Sequence, residues 1–214
     1  MRRLLVVLLV PTLPVLVLLG LRARIALGYR EPIVPPPVPG VVCGADARTY
    51  GSEAEARTAG VVPLHAGACG ACSNAADVEV LRRTRSTLTE TARGCGMRYL
   101  FLGRAAAATC MATVGFTGAC ADCWLDDMAC AVTHCMGTCL VSRLGGEPNN
   151  VEGALNDCLA CDETNCGPEF VRCAGANRRR AGIVSDIARP DSQVWQGGGR
   201  ESAGGAPSGG VPPP

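Results

Sequence analysis

Fourteen cysteines in a chain of 214 residues constrain this fold more than any other feature. Ten of them lie at 110, 120, 123, 130, 135, 139, 158, 161, 166 and 173, with Cys95 just upstream and Cys43, Cys69 and Cys72 earlier still. Aromatic residues make up only 4% of the chain, so Phe, Tyr and Trp can bury little area. A chain with so thin a core needs another source of stability, and in oxidising compartments disulfides supply it. The even count permits complete pairing, but a count does not give the connectivity.

The amino terminus agrees with that compartment. Met1-Arg2-Arg3 leads into an apolar run at residues 4–21. A short basic start followed by such a run reads as a secretory signal, and Ala26-Leu27-Gly28 offers the small residues a signal peptidase accepts. The rival reading is an uncleaved signal anchor, because the run sits at the lower edge of what spans a hydrocarbon layer of roughly 30 Å. Residues 1–28 are therefore a signal peptide or an anchor, and either leaves the cysteines outside the cytosol. Residues 29–40 form a proline-rich spacer of extended polyproline character. Residues 190–214 are a Gly/Pro-rich tail with too few apolar groups to offset the entropy of ordering, so disorder is expected there. The net charge of +1 gives no bulk electrostatic case for nucleic acid or an anionic membrane. Arg178-Arg179-Arg180 reads as a solvated run capping the folded region.

Between these ends the periodicity predicts a mainly α fold, a small disulfide-rich helical domain over 72–176. Ser73 or Asn74 caps a helix over 75–93 whose Val78, Leu81, Leu88, Ala92 and Cys95 share a face, with Gly94 and Gly96 ending it. A second helix covers 103–114, carries Cys110 and stops at Gly115. A third runs over 121–142, where Trp124, Met128, Ala131, Cys135 and Cys139 fall on one stripe. A fourth, capped by Asn150, covers 151–161 and sets Cys158 and Cys161 on one face. Pro168 opens a fifth, which reaches Cys173. Cysteines three or four residues apart on one helix can meet a similar pair on an antiparallel helix, given Cβ atoms about 3.5–4.5 Å apart.

Three chemistries fit such cysteines. The first is a structural disulfide framework. The second is zinc, held by Cys120-x2-Cys123 and Cys158-x2-Cys161 as a thiolate tetrahedron. The third is thiol exchange, which needs a lowered thiol pKa, and only His134 beside Cys135 offers a basic neighbour. Cys69-x2-Cys72 is a further CxxC that could serve redox chemistry. With two histidines in the chain, no Ser/His/Asp set, paired acidic site or phosphate loop stands out. The expectation is a non-catalytic protein that needs no cofactor and acts on a protein partner.

The stretch Val42-Cys43-Gly44-Ala45-Asp46-Ala47-Arg48-Thr49-Tyr50-Gly51-Ser52, with the ending Gly60-Val61-Val62-Pro63-Leu64-His65-Ala66-Gly67-Ala68-Cys69, resembles a Kazal-type domain. The resemblance implies a Kazal-like module over 41–71, with Thr49 and Tyr50 on a strand, a turn, and a helix from Glu53 to Thr58 capped by Ser52. It also implies a Cys43–Cys69 disulfide, these two matching the family's third and sixth cysteines. The other four family cysteines are missing, and Ala47 stands where the family has glycine. Serine-protease inhibition is the activity the resemblance implies, through a loop that falls here at Pro39-Gly40-Val41-Val42 without its upstream anchor. With Cys69 so paired, Cys72 is left to the helical domain. The block from CGACSN through CWLDDMAC to FVRCAGANRRRAGIVSDI also resembles an uncharacterised cysteine-rich family.

Overall fold

The computed structural model describes residues 38–187 and five positions between 16 and 23. Most of the expected signal or anchor, most of the spacer and all of the tail lie outside the described residues. No helix among the described residues is long and apolar enough to cross a membrane.

The N-terminal unit is a three-stranded antiparallel sheet with one helix: β1 (Val42–Gly44), β2 (Thr49–Tyr50), α1 (Glu53–Thr58) and β3 (Pro63–Ala66), in strand order β2-β1-β3. Only β2 was legible as a strand. Ser52 caps α1 by accepting a hydrogen bond from the Glu55 amide at 3.1 Å. Tyr50 donates to Asp46 at 2.7 Å and closes the β1–β2 turn. Within that turn Ala47 has φ +61°, a left-handed conformation that costs a residue with a Cβ roughly 1 kcal/mol. Cys43 and Cys69 are bonded, and Thr49 Oγ1 accepts from the Cys69 amide at 3.0 Å.

The rest is helical, as the periodicity predicts, with different breaks. The helix expected over 75–93 is two: α2 (Ala75–Arg83), capped by Asn74, and α3 (Leu88–Leu102). Thr84 turns its hydroxyl back onto the Val80 carbonyl at 2.7 Å, and Thr84-Arg85-Ser86-Thr87 leaves the helix. Gly94 and Gly96 do not end α3. Burial of Leu88, Cys95, Tyr99 and Leu100, with the Cys95–Cys110 bridge to α4 (Arg104–Ala112), outweighs the ~1 kcal/mol helix penalty of each glycine. Gly115, at φ +93°, follows α4 as expected.

The third helix also divides, into α5 (Gly118–His134) and α6 (Met136–Leu144), with Cys135 non-helical at the joint. Asn150 caps no helix. It begins a hairpin of β4 (Asn150–Val151) and β5 (Ala154–Leu155), whose turn residues Glu152 and Gly153 both have positive φ. Asn156 instead caps α7 (Asp157–Asn165), accepting from Leu159 at 2.9 Å. Pro168 lies in the first turn of α8 (Gly167–Ala174).

All fourteen cysteines are paired, so the folded chain belongs in an oxidising environment. Four bridges are nested: Cys123–Cys173, Cys130–Cys166, Cys135–Cys161 and Cys139–Cys158, with separations of 50, 36, 26 and 19 residues. They zip α5–α6 antiparallel against α7–α8. Cys72–Cys120 ties the start of α2 to α5. Beside it lies Asp77, fully buried, whose carboxylate accepts from the Thr117 amide at 2.7 Å, the Thr117 hydroxyl at 2.6 Å and Asn74 at 2.5 Å. The apolar core is Val78, Leu81, Leu88, Tyr99, Met111, Leu125 and Met128, between α2, α3, α4 and α5.

The two units meet backbone to backbone. Ala71 donates to the Cys173 carbonyl at 2.9 Å and Cys72 to that of Ala174 at 2.8 Å. Gly70 and Gly175 sit where these strands of chain pass, and Gly175 has φ +68°.

Candidate functional site

The antiparallel helices do not close on one another completely. A cavity of about 630 Å3 opens between α3, α5, α6, α7, α8 and the segment at 177–187. That volume falls within the roughly 300–1,000 Å3 usual for small-molecule sites. Its walls are hydrocarbon and sulfur: Met97 and Leu100 from α3, Trp124 and Met128 from α5, Leu140 from α6, Phe170 from α8. Trp124 is fixed between two rings, stacked on Phe116 at 5.8 Å and edge-on to Phe170 at 4.7 Å.

The outer wall is latched by a buried arginine. Arg178 donates to Asp186 at 2.7 Å, to the Arg85 carbonyl at 2.8 Å and to Thr89 Oγ1 at 2.7 Å. This draws residues 177–187 across the α2–α3 junction and seats Ile183 and Ile187 on the cavity. The arginine run is therefore not a solvated cap. Arg178 is buried, and half-buried Arg180 reaches the Ala66 carbonyl and His65 of the N-terminal unit. Only Arg179 is exposed, and it lines the cavity.

Acidic groups interrupt the apolar wall. Asp127 of α5 and Asp162 and Glu163 of α7 line it, and one oxygen of Asp127, one of Asp162 and Cys166 Sγ lie within 4.8 Å of one another. That sulfur is committed to Cys130, so it is not a thiolate ligand. Burial first, then the charges of Asp162 and Glu163, push the Asp127 carboxyl well above the usual carboxylate range. From the unfolded value near 3.8 upward, the folded chain keeps a proton that the unfolded chain has lost. Asp127 thus costs stability as pH rises through that window. Asp162 and Glu163 hold interactions of their own. Asp127 has no hydrogen bond or ion pair among the described residues. Three residues before it, the buried Trp124 Nε1 has no acceptor among the described residues.

The residues singled out from sequence fall elsewhere. The four cysteines of the zinc alternative go to four different partners: Cys120 to Cys72, Cys123 to Cys173, Cys158 to Cys139, Cys161 to Cys135. Cys69 and Cys72 of the CxxC belong to separate bridges. His134 is exposed at the end of α5. A Ser–His contact does form, with His65 Nε2 3.0 Å from Ser73 Oγ, but Ser73 is fully buried and no substrate can reach it. Burial holds the His65 imidazole below its ordinary 6.5, against the pull of the Ala66 carbonyl and with help from Arg180. The unfolded chain takes up a proton there first, so this contribution to stability is lost as pH falls below 6.5. Asp127 and the cavity were missed. No pattern in the sequence marks them, because Asp127 sits among residues of a mixed helical face and its neighbours come from a helix thirty-five residues away.

This is a disulfide-stapled α-helical domain with an open apolar cavity, preceded by a small sheet-and-helix unit. Residues 104–197, from the first residue of α4 through the latched segment, match a family of unknown function (DUF8771). No curated protein and no solved structure matches the chain.

Proposed function

We propose that the protein is a non-catalytic binding module of an oxidising compartment, secreted or membrane-tethered, and that the cavity in its helical domain is a binding site. The supporting observation is the cavity itself. It is rigidly walled by bridged helices and mostly apolar, and neither histidine of the chain lines it. Four arginines line it and none is free: Arg93 bonds to Asn149 and Glu90, Arg143 to Glu90 and Arg178 to Asp186, and Arg179 holds an interaction of its own. The N-terminal unit is the part suited to a protein partner, as its resemblance implies. Serine-protease inhibition is the narrower form of that reading. The segment leading into Val42 is held by one bridge, at Cys43, so the ordering cost that inhibitors avoid by rigidity remains here.

The test uses the oxidised full chain. Nile red, a neutral apolar dye, should bind with one site per molecule and brighten. Ala131→Phe, which places a ring in the cavity, should abolish that binding while leaving near-ultraviolet circular dichroism and the native mass unchanged. Undiminished dye binding by this folded variant would remove the cavity from the account. The same material should give no slow, tight inhibition of trypsin- or subtilisin-like enzymes. Inhibition at nanomolar concentration would move the function to the N-terminal unit.

A further inference from the structure

The chain runs along the cavity wall as it enters its C-terminal segment: Ile187, the last described residue, is part of the lining. Resting on the binding-site reading above, we infer that the resident occupant is the chain's own Val194–Trp195, turned back into the cavity against Met97, Leu100, Met128 and Leu140, and that an outside ligand enters by displacing it.

After Ile187 the large apolar residues are Val194, Trp195 and Val211. The family match runs through Trp195 and stops at Gly197, so it takes in this pair with the helices and leaves out the Gly/Pro-rich remainder. Eight residues separate Ile187 from Trp195, up to roughly 28 Å of extended chain, which is ample for a turn back into a cavity that Ile187 already lines. The wall chemistry fits an indole. Met97 and Met128 line the space, and thioethers make favourable contacts with aromatic rings. Arg93, Arg143, Arg178 and Arg179 share the lining with Asp127, Asp162 and Glu163, so it carries both signs and any charged ligand meets repulsion from one set. An indole is neutral. Its face accepts a guanidinium that keeps its present bonds, and its N–H donates to a carboxyl oxygen. Tethering adds the rest, because a short flexible linker holds the pair at an effective concentration on the order of millimolar that a free ligand must outcompete.

The test is NMR of the oxidised full chain labelled with carbon-13 and nitrogen-15. Trp195→Ser assigns the Trp195 indole by the loss of its signal. In the native chain its ring protons should show nuclear Overhauser contacts to the Met128 or Leu140 methyls, and these should disappear on addition of Nile red and in Ala131→Phe. Trp195→Ser should also tighten Nile red binding about tenfold, since it removes a tethered aromatic competitor. Trp195→Phe, which keeps an apolar ring, should restore most of the native dye affinity. A Trp195 ring without contacts to those methyls would overturn the assignment, as would a dye affinity indifferent to Trp195→Ser. So would contacts seen only between labelled and unlabelled copies, which would give the cavity to a second molecule's segment. Each of these results leaves the binding-site reading in place, because that reading falls only if Nile red fails to bind or Ala131→Phe leaves its binding undiminished.

Discussion

A chain carrying Cys72→Ala together with Cys120→Ala will be roughly 4 kcal/mol less stable than the native protein, from chain entropy alone. The reason lies in how the seven loops share chain. Cys72 and Cys120 are 48 residues apart, and the only bridge within that span is Cys95–Cys110, which shortens it by 15 residues. The remaining loop is long, so its closure removes much freedom from the unfolded chain. The innermost rung behaves differently. Cys139–Cys158 lies inside the loop already closed by Cys135–Cys161, so it adds only a small ring. Cys139→Ala with Cys158→Ala should therefore cost nearer 2 kcal/mol by the same model. Denaturant unfolding without reductant checks both. A ranking in which the inner rung costs as much as Cys72–Cys120 would mean that local packing, and not loop closure, sets the values.

The second large effect comes from a residue with no side chain. Gly70→Ala should destabilise the fold by roughly 3 kcal/mol or more. A Cβ on Gly70 would fall within 3.0 Å of backbone atoms of Cys173, Ala174 and Gly175. Backbone cannot swing aside as a flexible side chain can. Relief would have to separate the two strands of chain, breaking the bonds from Ala71 and Cys72 to the Cys173 and Ala174 carbonyls. It would also pull on Cys72–Cys120 and Cys123–Cys173, which flank the crossing. Gly94→Ala is the control. Nothing lies within 4 Å of its would-be Cβ in the middle of α3, so stability should rise by about 0.5–1 kcal/mol. A thermal melt of the two variants separates the cases: opposite shifts are expected, and a harmless Gly70→Ala would deny the close crossing.

Helices were legible in the sequence because apolar positions repeat, and caps such as Ser52, Asn74 and Pro168 are local signals. Breaks were less legible. Gly94 and Gly96 look like terminators, but the bridge and burial around Cys95 carry the helix through them, a tertiary effect invisible locally. Cys135 interrupts a continuous stripe so that Cys139 can turn toward Cys158. The Glu152–Gly153 turn was readable in principle, since a glycine at the second of two turn residues suits a two-residue hairpin. The nested pairing also left a mark. Going inward from Cys123 the gaps to 130, 135 and 139 are seven, five and four, and from Cys173 back to 166, 161 and 158 they are seven, five and three. Mirror-image spacing is what an antiparallel hairpin with rungs requires. The meeting of Gly70 with Gly175, the Arg178 latch and the Asp127 cavity have no such trace. Each joins residues far apart in the chain whose types are ordinary alone.

The helical framework and the cavity walls depend on the sulfur being oxidised in the native protein, and intact mass spectrometry tests that directly. Reduction of the purified chain should raise its mass by about 14 Da, two hydrogens for each of seven bridges. Iodoacetamide should label none of the fourteen cysteines beforehand and all of them afterwards. Extensive labelling of unreduced, folded protein, with no mass change on reduction, would contradict the framework and with it the rigid walls of the cavity.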